Sequence, residues 1–248
     1  MNVPFDILQS QDRLPSPDSP DDRHGNVLWV YIEGDGRAFL SPNRPSSDPT
    51  PTDPVALRLA LAHPGATPVA YLARPCQYVL TEHGRNCAAR YWTNARYAPD
   101  VIDSINQAVD KLKKQSGAAQ IILAGYSGGG AIAVLAAARR GDVMAIVTVA
   151  ADLDLAYWTR RDKLTPLDGS LDPANAADVV AYLPQIHFTG GRDDTAGTDV
   201  VRSFMSKLPP TAPAHLIEIP DFTHSCCWAE QWTDLLNRPD VKSFSLLE

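Results

Sequence analysis

Residues 121–131 read IILAGYSGGGA, a run of large apolar residues that passes through Gly125-Tyr126-Ser127-Gly128-Gly129 into an alanine-rich stretch ending at Arg139-Arg140. The apolar run at 120–125 has the pattern of a strand buried on both faces, and residues 128–140 that of a helix. A sharp turn must join them. Small residues on either side of Ser127 are what such a turn demands, because a Cβ there would strike the returning chain. The turn would expose the Ser127 hydroxyl and aim the helix N-terminus at the same point, where free backbone N–H groups favour negative charge. A glycine-rich turn with a capping serine fits the bare five-residue pattern equally well, but the strand before it and the helix after it favour a nucleophile.

Working outward, the same alternation recurs. Residues 26–32 (NVLWVYI) form a continuous apolar, β-branched and aromatic run, and residues 68–72, 145–149, 185–189 and 215–219 are shorter runs of the same kind. Between them lie helical patterns. Asp53-Pro54 offers an N-cap and a first-turn proline for a helix to about His63. Residues 100–114 place Val101, Ile105, Ala108, Val109 and Leu112 on one face, and Gly117 ends them. Further helical patterns cover residues 173–182, 199–207 and 228–236, and a short strand is expected at residues 5–8. Strands alternating with helices imply one α/β domain over residues 1–248, with a mostly parallel sheet covered on both faces. The insertion at residues 152–183 is long enough for a small cap but not for a core of its own.

Composition narrows the partners. Of 248 residues, 22 are Lys or Arg and 29 Asp or Glu, a formal charge of −7, with no basic run longer than a pair. Nucleic acid is therefore not an expected partner. The longest apolar stretch, residues 131–138, falls far short of the roughly 20 residues that cross a bilayer. No P-loop, H-E-x-x-H or strand-borne G-x-G-x-x-G occurs, and the cysteines lack paired C-x-x-C spacing, so neither a metal nor a cofactor is expected.

A serine hydroxyl attacks well only when a base takes its proton. Of six histidines, His24 falls in a proline-rich opening loop, His63 at a helix end, and His187 and His215 inside expected strands. His224 follows the last strand on the loop Pro220-Asp221-Phe222-Thr223-His224 and is the best base, with His83 a distant second. The acid that orients it should stand on a loop at the same sheet edge. Asp193, in Gly190-Gly191-Arg192-Asp193-Asp194, fits that place, and Asp152 is the principal rival, with Asp154 close behind it.

At this point the sequence resembles the α/β-hydrolases. Gly125-Tyr126-Ser127-Gly128-Gly129 matches their nucleophile elbow, and Ser127, Asp193, His224 follow their chain order. The resemblance runs from about residue 26 to 236. It also reaches a narrower group of poorly characterised bacterial hydrolases through Tyr31-Ile32-Glu33-Gly34-Asp35-Gly36, Asp48-Pro49-Thr50-Pro51, Tyr91-Trp92-Thr93-Asn94-Ala95-Arg96-Tyr97 and His187-Phe188-Thr189-Gly190. The fold implied is the α/β-hydrolase fold with a small cap or none. The implied oxyanion donors are the backbone N–H groups of Asp35 and Gly128. Glu33 stands where the superfamily usually has His, and a carboxylate there opposes catalysis unless it points away or is paired; Arg37 or Arg96 is the expected partner.

The function implied is that of a serine carboxylesterase or lipase-like acyl hydrolase acting on a small-molecule ester through an acyl-enzyme. Thioester or amide hydrolysis and acyl transfer use the same triad, and a non-catalytic binding protein of this fold is the alternative from another class. Cys76 and Cys87 lie close enough to form a disulfide across a polar turn, whereas the adjacent Cys226 and Cys227 are expected as buried thiols lining the pocket with Trp228. The first residues, MNVPFDILQSQD, carry no signal pattern. The Cys76–Cys87 pair nevertheless leads us to expect a periplasmic or secreted protein whose leader has been removed, with the cytoplasm as the alternative.

Overall fold

The computed structural model describes residues 27–41, 43–79 and 87–242. The strand expected at 5–8, His24 and His83 lie outside them. In chain order the elements are β1 (Val27–Ile32), the strands β2 (Phe39–Ser41) and β3 (Arg44–Pro45), α1 (Val55–Leu61), β4 (Val69–Leu72), α2 (Pro99–Ser116), β5 (Gln120–Tyr126) and α3 (Gly128–Ala137). There follow β6 (Val143–Val149), α4 (Leu155–Arg161), α5 (Ala177–Val180), β7 (Gln185–Gly190), α6 (Gly197–Met205), β8 (Ala214–Ile219), α7 (Trp228–Leu236) and α8 (Pro239–Lys242).

Six strands form one sheet in the order β4-β1-β5-β6-β7-β8, and every pairing in it is parallel. Such a sheet is buried on both faces, which explains why its strands read as unbroken apolar runs. Successive residues of β1 show it: Leu28, Val30 and Ile32 pack into the core layer that holds α2 and α3, while Trp29 and Tyr31 pack into the layer that holds α1 and α7. In α2 the expected face is buried, Ile102 joins it, and Gly117 closes the helix at φ 71°. Among the described residues no helix is long and apolar enough to cross a membrane.

Several boundaries moved, each for a local reason. Asp53 does not cap α1; its carboxylate pairs with Arg58, and Pro54 holds the cap position. Instead of one helix over 173–182, a 3-10 turn at Pro173–Ala176 passes into the single turn of α5, with Asp172 capping the start through the Ala174 N–H. The segment read as a loop after residue 36 pairs briefly as the antiparallel β2 and β3. Within the insertion, α4 is capped by Asp154, which accepts from the Tyr157 N–H at 2.9 Å. Leu155, Trp158, Ala174 and Ala177 bury their side chains in the main core. The insertion is therefore a small cap rather than a second core.

Because all six strands point the same way, the loops after β1, β5, β6, β7 and β8 emerge at one edge. Those loops carry Glu33 to Asp35, Ser127, Asp152, Asp193 and His224.

Candidate functional site

Ser127 sits between β5 and α3 at φ 51°, ψ −126°, a left-handed conformation that non-glycine residues avoid, and its N–H donates to the Val149 carbonyl at 2.9 Å. The neighbouring glycines are required by contact. A Cβ on Gly125 would run into the Gly129 carbonyl, and one on Gly129 into the Ile32 carbonyl, so β1, β5 and α3 approach as closely as backbones can. The strained turn thus aims the Ser127 side chain into a cleft of about 840 Å³ at the carboxyl edge of the sheet.

His224 Nε2 lies 3.0 Å from Ser127 Oγ, and Nδ1 lies 2.9 Å from Asp193 Oδ2. The other Asp193 oxygen accepts from the Thr195 and Ala196 N–H groups at 2.8 and 3.0 Å. Two backbone bonds tie the acid-bearing loop to the histidine loop, from Gly191 to Ile219 and from Arg192 to Phe222, both 2.9 Å. The His224 carbonyl is gripped by the Trp228 indole N–H at 2.9 Å and the Tyr126 hydroxyl at 3.2 Å. Burial works against charge on both partners. It is outweighed at Asp193 by His224 and the two amides, which hold the carboxyl below its usual range. At His224 it is outweighed chiefly by Asp193, then by Asp152 and Asp35, and the imidazole's pKa rises.

The other expected residues fall out as follows. His63 Nδ1 is 2.7 Å from the Tyr31 hydroxyl, and His187 Nδ1 is 2.8 Å from Thr148 Oγ1, with burial pushing the His187 pKa down to about 3. His215 stands exposed on β8. Asp154 is spent on capping α4 and on Ser203 at 2.7 Å. Asp152 lines the cleft but makes no bond to His224; it is 2% exposed, and its Oδ1 has no hydrogen-bond partner among the described residues. Burial, followed by the charge of Asp35, pushes its carboxyl up to about 7.

Glu33 is not paired with Arg37 or Arg96. Its Oε1 accepts from the Gly34 N–H at 2.9 Å and the Ala56 N–H at 3.4 Å, and Oε2 accepts from the Tyr71 hydroxyl at 3.1 Å. The carboxyl points toward the first turn of α1, and burial raises its pKa against these donors. Arg96 instead binds Asp35, together with Arg74 at 2.7 Å and the Tyr97 hydroxyl at 3.3 Å. Burial opposes ionisation of Asp35, but the two arginines outweigh it and hold the carboxyl below its usual range. The two arginines neutralise the Asp35 carboxylate, and Asp152 lies within range of the same charges. The cluster adjoins the α3 N-terminus, since a Cβ on Gly128 would meet the Asp35 carboxylate. The sequence reading assigned no role to Arg74 or Tyr97; for Arg74, a charged residue two positions past the buried strand β4 was the available signal.

Cys76 and Cys87 form a disulfide, with Cα atoms 5.6 Å apart. Cys226 and Cys227 are also bonded to each other, contrary to the expectation of buried thiols. The tight turn from Thr223 to Cys226 leaves Cys226 exposed beside its neighbour. Neither cysteine lines the cleft, and Trp228 lies fully buried beneath the loop against Phe222.

Solved structures share this architecture. An α/β serine hydrolase homologue from Coxiella burnetii superposes with a TM-score of 0.59 at 12% identity over 98% of both chains. Est1E from Butyrivibrio proteoclasticus, bound to ferulic acid, does so with 0.60 at 16% identity over 92% of both. The fold is that of the α/β-hydrolases. A third such protein, XC6422 from Xanthomonas campestris, an α/β serine hydrolase without a lid, gives 0.53 at 16% identity over 98% of this chain and 93% of its own. No protein-family model and no curated protein matches the sequence.

Proposed function

We propose that the protein is a serine hydrolase that cleaves carboxylic esters. The observation that carries this reading is the unbroken chain from Ser127 Oγ through His224 to Asp193, with links of 3.0 and 2.9 Å, on a strained turn facing an open cleft. In this reading Ser127 Oγ attacks the acyl carbon while His224 Nε2 takes its proton and then gives it to the leaving alcohol. Asp193 keeps Nδ1 protonated and stabilises the imidazolium. Water, activated by the same His224, releases the acid from the acyl-enzyme. The Asp35 and Gly128 N–H groups bind the developing oxyanion. Gly128 opens α3, so its N–H has no carbonyl within the helix, and Arg74 and Arg96 neutralise the Asp35 carboxylate beside it. The esterases and hydrolases among the structural neighbours support this chemistry by analogy of fold.

The two disulfides further support a working place in an oxidising compartment, periplasmic or extracellular. A panel of p-nitrophenyl esters of rising chain length, run beside Ser127→Ala, tests the hydrolase reading. The wild type should release p-nitrophenol catalytically and the variant should fall to background. Equal rates from both proteins would refute it.

A further inference from the structure

Asp152 stands out in the cleft wall because its burial is offset only through space, by the charges of His224 and Arg96, and Oδ1 has no hydrogen-bond partner among the described residues. Removing a carboxylate from water is costly unless hydrogen bonds or a counter-charge replace the lost hydration. The other buried carboxylates of the site are all provided for. Glu33 has two amides and a tyrosine, Asp35 has two arginines, and Asp193 has His224 and two amides. Asp152 is as buried as these, yet Oδ1 is unpartnered. The nearby cation Arg96 is committed to Asp35 and, through Nε, to the Thr93 carbonyl at 2.7 Å.

The position is fixed rather than accidental. Ala150, two residues earlier, adopts φ 49°, and its N–H donates to the Phe188 carbonyl at 2.9 Å. Ala151 packs against Gly130 in the first turn of α3, where a Cβ on the glycine would collide with it. The chain leaving β6 is thereby clamped between β7 and α3, and Asp152 comes to line the same cleft as Ser127 and His224.

Resting on the hydrolase reading above, we propose that Asp152 is a substrate-positioning residue whose carboxyl takes a hydrogen bond from a hydroxyl or ammonium group of the substrate held beside the scissile ester. The preferred substrates are then hydroxy- or amino-substituted esters rather than plain hydrocarbon ones. A buried polar group that only the right substrate satisfies discriminates strongly, because the analogue lacking the donor leaves it unpaired.

Matched esters test this. On the acyl side they are phenyl propanoate, phenyl 2-hydroxypropanoate and phenyl 2-aminopropanoate; on the alcohol side, propyl and 2-hydroxyethyl butanoate. The readout is the kcat/KM ratio of each donor-bearing ester to its hydrocarbon twin, divided by the same ratio for hydroxide-catalysed hydrolysis. A general loss of activity cannot imitate a change in that quotient. The wild type should show a quotient of about 10 or more for at least one pair. Asp152→Ala should bring it to about 1. Asp152→Asn, which keeps an acceptor but no charge, should retain preference for a hydroxyl and lose it for an ammonium, telling the two donors apart. Labelling of each variant by a fluorophosphonate certifies that its site is assembled. A wild-type quotient near 1 for every pair overturns the proposal without any variant, as does a preference that survives in Asp152→Ala. Wild-type protein that cleaves plain and donor-bearing esters without preference overturns this inference alone, whereas protein that cleaves neither kind overturns the hydrolase reading with it.

Discussion

Replacing Asp193 with asparagine changes one atom and should remove nearly all activity. Asp193 Oδ1 accepts from the Thr195 and Ala196 amides, and Oδ2 faces His224 Nδ1. The two amides can be satisfied only by the oxygen of an asparagine, so its NH2 group is forced toward Nδ1. A donor there requires Nδ1 to be the acceptor, which moves the ring proton to Nε2. Nε2 then presents a proton to Ser127 Oγ at 3.0 Å where it should receive one. The serine loses its base while the geometry hardly changes. By analogy with other triads the loss in kcat is about 10⁴-fold, or roughly 5.5 kcal/mol in the barrier. The assay is kcat on an activated ester, with circular dichroism confirming that the variant folds. Asp152→Asn should cost far less, because Asp152 does not touch the histidine. If Asp152→Asn proved the more damaging, the acid would belong after β6 and the reasoning would fail.

If His224 is the base proposed above, only its neutral form can take the serine proton, and activity should rise with pH through its pKa. Asp193, Asp152 and Asp35 raise that pKa against burial, so the acid limb of kcat/KM should have its midpoint above the ordinary histidine value of about 6.5. Asp152→Asn should move it down, and a wild-type midpoint below 6.5 would contradict the electrostatics. Glu33→Ala strips the Gly34 and Ala56 amides and the Tyr71 hydroxyl of their acceptor. It should destabilise the fold by about 1–3 kcal/mol, seen as a Tm lowered by roughly 2–12 °C; an unchanged Tm would show that these bonds contribute nothing. With both cysteine pairs bonded, denatured, non-reduced protein from an oxidising compartment should titrate no free thiols, and four would contradict both pairings.

The parts of this molecule that were legible in the sequence are those where one physical requirement dominates. Strands buried on both faces must be apolar throughout, so β1 and β5 could be read directly. The sharp turn at Ser127 must be flanked by small residues, so Gly125 to Gly129 announced it. The loops that reach the same sheet edge could be ordered from the alternation of strands and helices, which brought His224 and Asp193 forward. Less legible was everything decided by pairing across long separations. That Arg96 would serve Asp35 rather than Glu33, and that Arg74 and Tyr97 would join them, depends on where three loops meet, which no local pattern encodes. The 3-10 turn before α5 and the short pairing of β2 with β3 are held by a few bonds within loops, too weak a signal to separate from irregular chain. The Cys226–Cys227 bond lies in a turn closed by the Thr223 N–H on the Cys226 carbonyl, which adjacency in the sequence does not reveal.

The central claim is that Ser127 is a nucleophile activated by its place in the fold, and covalent labelling addresses it most directly. Wild-type protein treated with a fluorophosphonate and measured as intact mass should gain a single phosphonyl adduct, mapped by peptide mass to Ser127. Ser127→Ala should gain none. Equal labelling of both proteins, or failure of the folded wild type to label at all, would contradict the account.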